Sequence, residues 1–113
     1  MDQVLDLTKK IAEILDGKKA QDLTILSVKG ISPIADYFII ATGTSHTHIN
    51  ALAEYVEKGM RDEGVTIRHR EGKLQGGWLL LDFRDIIVHI FNDDLRKYYS
   101  IERIWSDAPR IVI

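Results

Sequence analysis

The segment 76–91, GGWLLLDFRDIIVHIF, is the most apolar stretch of this chain and limits most strongly how the chain can fold. Its two runs of Leu, Ile, Val, Trp and Phe flank the sequence DFRD at 82–85, whose acids and break in hydrophobicity predict a tight turn. With the two central residues of DFRD as the loop, Trp78 is expected opposite His89, whereas a three-residue loop would shift the register by one and place Trp78 beside Val88. The segment therefore predicts a β-hairpin.

Alternation along this hairpin sorts its side chains onto two faces. The first face is aliphatic throughout and must form core: Leu79, Leu81, Ile86, Val88 and Ile90. The second face is chemically mixed: Trp78, Leu80, Asp82, Ile87, His89 and Phe91. The mixed face is compatible with a second core layer, a binding surface or a site. Because the chain has few helices to cover both faces, we expect part of the mixed face to be exposed and to bind a partner.

Composition limits the class of protein. A chain of 113 residues with 45% hydrophobic residues is expected to form a single domain, 1–113, with its own core. A net charge of -2 excludes an overall basic field for nucleic acid. The absence of cysteine excludes disulfides and thiolate metal sites. Since the first residues do not resemble a signal peptide and no stretch is long enough to span a bilayer, we expect a cytoplasmic protein.

The periodicity of apolar residues gives the order of the elements as α, β, β, α, β, β, β, α. Glycines, caps and turns mark their approximate limits: a helix from residue 2 to Gly17, a strand at 22–28, a strand from Asp36 that ends at Gly43, a helix from Ser45 to Gly64, a strand at 65–70, the hairpin, and a helix from Asn92. This order predicts an α/β fold, an α+β mixed sheet of about five strands with helices mainly on one face.

One candidate chemical site is Gly43-Thr44-Ser45, at a junction between a strand and a helix. Backbone N–H groups at such a junction can bind phosphate, and nucleotidyltransferases begin with a similar motif. Those enzymes also need carboxylates that converge on Mg²⁺, and no Asp-x-Asp lies nearby. A capped helix start explains the same residues. A nucleotidyltransferase-like enzyme is nevertheless one alternative function.

The histidines and the basic residues are the other candidates. His46 and His48 are two apart on a helix and point in different directions, so we expect no metal site and no cofactor. A histidine such as His89, in an apolar strand, is usually neutral and hydrogen-bonded, and a binding partner could also supply the hydrogen bond. A small basic cluster could contact RNA phosphate or form a solvated strand edge: Arg68, His69, Arg70 and Lys73. A small RNA-binding module is therefore a second alternative.

Five motifs in order resemble the ribosomal silencing factor family, which includes the plant protein Iojap. They cover nearly the whole chain: DYFIIATGTS at 36–45, Glu71-Gly72, WLLLD at 78–82, VHIF at 88–91, and Arg96-x-x-Tyr99-x-x-Glu102-x-x-Trp105. Many members of the family have glycine in the hairpin turn where this chain has Arg84. This departure affects the turn and no chemistry.

The resemblance implies a translation repressor that is not an enzyme. Members bind the large ribosomal subunit through ribosomal protein uL14 and block association with the small subunit. The resemblance also implies a nucleotidyltransferase-like topology without catalytic acids, and a homodimer. An aromatic anchor beside acids suits the basic ribosomal protein that the resemblance implies as partner. The residues expected to bind the partner are Trp78, Leu80, Asp82, Asp85, His89 and Tyr99.

Overall fold

The computed structural model describes residues 3–72 and 76–111. Its elements are α1 (Gln3–Gly17), β1 (Gln21–Ser27), β2 (Tyr37–Thr42), α2 (His46–Asp62), β3 (His69–Glu71), β4 (Trp78–Asp82), β5 (Ile86–Phe91), α3 (Asp93–Tyr99) and α4 (Ile101–Ile104). The strands form one sheet in the order β1-β2-β5-β4-β3. The pair β2 and β5 is parallel, and the other three pairs are antiparallel. The predicted α/β class with a mixed five-stranded sheet is confirmed.

Two elements differ from the sequence prediction. The third strand begins at His69, because Val65 and Ile67 pack against the core without entering the sheet. The final helix is divided at Ser100, whose φ of 48° lies in the left-handed region. A residue with this backbone conformation ends α3 and redirects the chain into α4. Across the described ranges, no helix is long and apolar enough to cross a membrane.

The hairpin forms as predicted, but its register is different. Trp78 lies opposite Phe91, and Leu80 lies opposite His89, whereas the prediction placed Trp78 opposite His89. The pairing is therefore displaced by two residues along β5. Because side chains alternate with a period of two, this displacement leaves every hairpin residue on its predicted face.

The turn explains the displacement. Phe83 is buried and continues the aliphatic face by one residue, so the loop consists of Arg84 and Asp85 and not of Phe83 and Arg84. The Phe83 N–H donates to the carbonyl of Ile86 at 2.9 Å. Arg84 has a φ of 76°, and the Asp85 N–H donates to the Phe83 carbonyl at 3.1 Å, which fits a γ-turn. The carboxylate of Asp82 supports this turn by accepting the Arg84 N–H at 2.7 Å.

The aliphatic face forms the main core beneath α1 and α2, as predicted. Both helices contribute a stripe of buried residues to it: Ile11, Ala12, Leu15, Ile49, Leu52, Ala53, Val56 and Met60. The sheet contributes residues that include Leu79, Leu81, Ile86, Val88 and Ile90. This core fixes the orientation of the hairpin and thereby decides which side chains face away from α1 and α2.

The mixed face carries a second, smaller core. Trp105 packs edge-on against Phe38 at 5.3 Å between ring centroids, and the segment after α4 returns to pair with β1 through Arg110 and Leu26. These contacts cover the face over β1 and β2. The return of the chain, which covers that part of the sheet, was not visible in the helix count. Over β4 the mixed face stays partly exposed, as expected.

Candidate partner-binding site

Strand β4 presents alternate residues toward the partly exposed half of the mixed face. Trp78, Leu80 and Asp82 are each partly exposed, while the residues between them are buried. On the neighbouring strand, Ile87 lies opposite Asp82 and His89 lies opposite Leu80. We call these five residues the β4 patch. The patch combines an aromatic side chain, two aliphatic side chains, a carboxylate and an imidazole on one surface.

Ring stacking and the backbone contacts of the preceding residue fix the position of Trp78. Its ring stacks on Phe91 with 6.4 Å between centroids and an interplanar angle of 22°. The preceding residue, Gly77, has a φ of 73°, and a Cβ atom there would collide with the side chain of Asn92. The Gly77 carbonyl also accepts the Asn92 N–H at 2.8 Å. These contacts fix the start of β4 and give the patch an ordered aromatic at one end.

His89 is buried at the centre of the patch, where aromatic rings surround it. Phe38 meets its ring edge-on at 5.5 Å, and Phe91 lies parallel to it at 6.0 Å. Burial lowers the pKa of His89 to about 4, so the imidazole is neutral at neutral pH. The hydrogen bond expected from the sequence is not found, because neither ring nitrogen has a partner within the described part of the chain.

Four of the six residues expected to bind a partner lie together in the β4 patch: Trp78, Leu80, Asp82 and His89. Asp85 lies in the turn beyond the end of β4, where it is exposed. Its carbonyl accepts the N–H groups of Asp36, at 2.8 Å, and Tyr37, at 3.1 Å, which tie the turn to β2. The side chain of Tyr99 lies outside the described part of the structure.

The junction before α2 leaves little for a phosphate to bind. The Gly43 N–H donates to the carbonyl of Phe91 at 2.9 Å, and the Thr44 N–H donates to Nδ1 of His48 at 2.9 Å. Ser45 caps the helix as predicted, because its hydroxyl oxygen accepts the His48 N–H at 3.0 Å. These backbone N–H groups, which a nucleotide would require, are already used within the chain.

The described residues also give little support for a metal site or an RNA-binding site. No group of three or more His, Cys, Asp or Glu residues that could hold a metal ion occurs in ranges 3–72 and 76–111. In the basic cluster, Arg70 is paired with Glu57 at 3.0 Å, and His69 contacts Glu71 at 2.8 Å. Lys73 lies outside the described residues. The charges of this cluster are thus partly neutralised by neighbouring carboxylates.

Sequence reasoning did not identify the residue that joins the C-terminal helices to the sheet. Arg96 is buried, and its guanidinium donates to the carboxylate of Glu102 at 2.8 Å and to the hydroxyl groups of Thr42, at 2.9 Å, and Thr24, at 3.1 Å. The sequence signal that could have indicated this role is an arginine among the apolar positions of a short helix. The network fixes α3 and α4 against β1 and β2.

Comparison with known proteins agrees with this architecture. The whole chain, 1–113, matches the family described as ribosomal silencing factor during starvation. A ribosomal silencing factor of Halalkalibacterium halodurans is 39% identical over 106 residues, which are 94% of this chain and 91% of the relative. That of Bacillus subtilis is 37% identical over 103 residues, 91% of this chain and 87% of the relative.

Solved structures share the fold. A crystal structure of a protein from Chromobacterium violaceum has a TM-score of 0.89 and 31% identity, and the match covers 93% of this chain and 88% of the other. A crystal structure from Bacillus halodurans has a TM-score of 0.84 and 34% identity, with coverage of 96% and 99%. Sequence motifs, sheet topology and both comparisons therefore lead to one conclusion: the chain belongs to the ribosomal silencing factor family.

Proposed function

We propose that this protein represses translation by binding the large ribosomal subunit through ribosomal protein uL14 and blocking the small subunit sterically. Membership of the ribosomal silencing factor family supports a role in translation silencing at the ribosome. The observation that carries the choice of surface is the β4 patch, where an ordered tryptophan, a leucine and a carboxylate are partly exposed together.

The chemistry of the patch suits a basic protein partner. Trp78 is partly exposed yet stacked on Phe91, and an aromatic that is ordered before binding loses little conformational entropy on association. The carboxylate of Asp82 on the same surface complements the positive charge that is typical of ribosomal proteins. An interface of about 800 Å² per partner is feasible for a domain of this size.

The proposed mechanism requires no catalytic residue. A folded protein bound at the surface where the small subunit docks occupies the volume that the small subunit needs. Repression then depends on affinity and on protein concentration relative to Kd. The nucleotidyltransferase-like alternative has less support, because the N–H groups of Gly43 and Thr44 donate within the chain.

Co-sedimentation with purified ribosomal subunits tests the proposal. We expect the protein to pellet with large subunits and not with small ones, and to reduce the yield of joined ribosomes in a sucrose gradient. Tyr55→Ala is the matched control for replacing the tryptophan of the patch, Trp78→Ala, because Tyr55 is an exposed aromatic on α2, on the opposite side of the sheet from the β4 patch. An unchanged gradient at excess protein would refute the proposed repression.

The homodimer that the resemblance implies is a separate prediction. Sedimentation equilibrium of the free protein measures it directly. If the dimer used the β4 patch, uL14 and the second copy would compete, and dimer formation would decrease as uL14 is added. A dimer that persists at saturating uL14 would place the self-contact elsewhere on the surface.

A further inference from the structure

We propose that His89 is a recognition residue of the β4 patch, whose imidazole forms a hydrogen bond with a hydroxyl or backbone amide of a protein partner. This inference rests on the proposed docking function and adds the chemistry of the contact. Both ring nitrogens of His89 are buried without a hydrogen-bond partner among the described residues. A partner that supplies this bond would satisfy what the isolated chain leaves unsatisfied.

An unpaired buried imidazole makes the isolated protein less stable than an apolar residue would. Removing a polar group from water without a compensating hydrogen bond carries a desolvation cost that leucine at the same position lacks. The neighbouring positions on the same face of β5, Ile87 and Phe91, are apolar and fit the second core well. Packing alone therefore does not explain a histidine at this position.

The neighbours of His89 in the sheet include one partly exposed residue. Ile40, its neighbour on β2, is fully buried, and the rings of Phe38 and Phe91 close two further directions. Leu80, its partner on β4, is partly exposed. A change of the Leu80 rotamer is a small motion, and it would give a partner access to a ring nitrogen from the side of the β4 patch.

The surroundings select the kind of group that can bind. The neutral imidazole has one N–H donor and one lone pair, and a hydroxyl or amide can satisfy either without bringing charge into an apolar environment. A cation would lose its hydration among the aromatic rings. A phosphate would meet the carboxylate of Asp82 on the same face, and the β4 patch contains no lysine or arginine. The site therefore fits an apolar protein segment that carries one neutral polar group.

Replacement of His89 by leucine separates recognition from stability. We expect His89→Leu to have a denaturation midpoint equal to or above that of the wild type, and to bind purified large subunits at least about tenfold more weakly. His89→Gln keeps a donor and an acceptor, and we expect it to recover part of the lost affinity. Ile87→Leu is the control, because it changes shape on the same strand and face without changing polarity.

The outcomes distinguish this inference from the function on which it rests. A wild-type protein that does not bind large subunits would overturn the proposed function and the role of His89 together. Wild-type binding with equal affinity for His89→Leu would overturn the role of His89 alone. A lower denaturation midpoint for His89→Leu than for Ile87→Leu would overturn the argument that the imidazole is present at a cost to stability.

Discussion

Arg96 on α3 donates a hydrogen bond to the hydroxyl of Thr42 at the end of β2, with 2.9 Å between Nη1 and Oγ1, across a separation of 54 residues. The same guanidinium donates from Nε to the carboxylate of Glu102 on α4 at 2.8 Å. One buried side chain thus connects the sheet to both C-terminal helices. The second core, which includes Trp105, depends on this connection because the helices are too short to hold their position alone.

Arg96→Met should destabilise the protein strongly. The substitution keeps much of the apolar stem but leaves Glu102 and the two threonine hydroxyls without their donor, so we expect the free energy of unfolding to fall by about 3 kcal/mol. Urea denaturation measures this. Arg103→Met is the control, since Arg103 is exposed on α4 and its loss should change stability by less than about 0.5 kcal/mol. Equal midpoints for the two variants would contradict the structural role of Arg96.

Trp78→Ala should affect binding more than folding. Trp78 is partly exposed, so its loss should cost about 1 to 2 kcal/mol of stability, less than the 3 to 5 kcal/mol typical of a fully buried aromatic. As a proposed interface anchor, it should contribute more than about 2 kcal/mol to binding of large subunits. Calorimetric unfolding and co-sedimentation measure the two quantities on the same sample. Unimpaired binding would move the interface away from β4, toward Tyr99, Glu102 and Trp105.

Arg84→Gly should stabilise the hairpin. The φ of 76° at Arg84 is strained for a residue with a side chain and unstrained for glycine, so we expect a gain of about 0.5 to 1 kcal/mol after the greater entropy of the unfolded chain is counted. Thermal unfolding of the variant measures it. Asp85→Gly is the matched control, because Asp85 has no positive φ and glycine there should destabilise. A gain at both positions would mean that turn strain is not the cause.

The stability of the wild type should decrease in acid because of His89. The unfolded imidazole takes up a proton below its ordinary pKa of 6.5, while the folded one stays neutral until about pH 4. The unfolded state therefore binds more protons in this window, and the free energy of unfolding falls as pH decreases from 6.5 to 4, by about 3 kcal/mol in total.

His89→Leu provides the reference for this pH dependence, because all other titrating groups are common to both proteins. The difference in unfolding free energy between the two proteins should change steadily from pH 6.5 to pH 4 and be constant above pH 7. Guanidinium titrations at several pH values measure that difference. A difference that does not vary with pH would show that His89 titrates at its ordinary pKa in the folded protein.

Sequence reasoning succeeded where a local rule decides the structure. The period of two assigned Leu79 and Leu81 to one core and Trp78 to the other face, and Ser45 was identified as a cap from its position before an apolar stripe. The observed loop begins one residue later than predicted, because Phe83 is buried in the core and is not part of the loop. Whether the core can accommodate Phe83 depends on the depth of the core, which the sequence alone does not give.

Sequence reasoning missed the contacts between segments that are distant in the chain. The coverage of β1 and β2 depends on Trp105 reaching Phe38, and no local pattern predicts a contact between those residues. Gly43 shows a related limit, since the sequence alone does not give the reason for glycine there. Its φ is not positive, and the requirement for glycine comes from the side chain and backbone of Ile49, which would collide with a Cβ atom.

The return of the chain to β1 also bears on self-association. The Ser27 N–H donates to the Pro109 carbonyl at 2.8 Å, and the Ile111 N–H donates to the Ile25 carbonyl at 2.9 Å. These bonds occupy backbone groups that an edge strand would otherwise offer to another molecule. At the opposite edge, β3 is short, and its exposed residues are all charged or ionisable, a combination that discourages strand addition. Both edges therefore disfavour strand pairing between two copies, and with it growth into extended β-sheet aggregates.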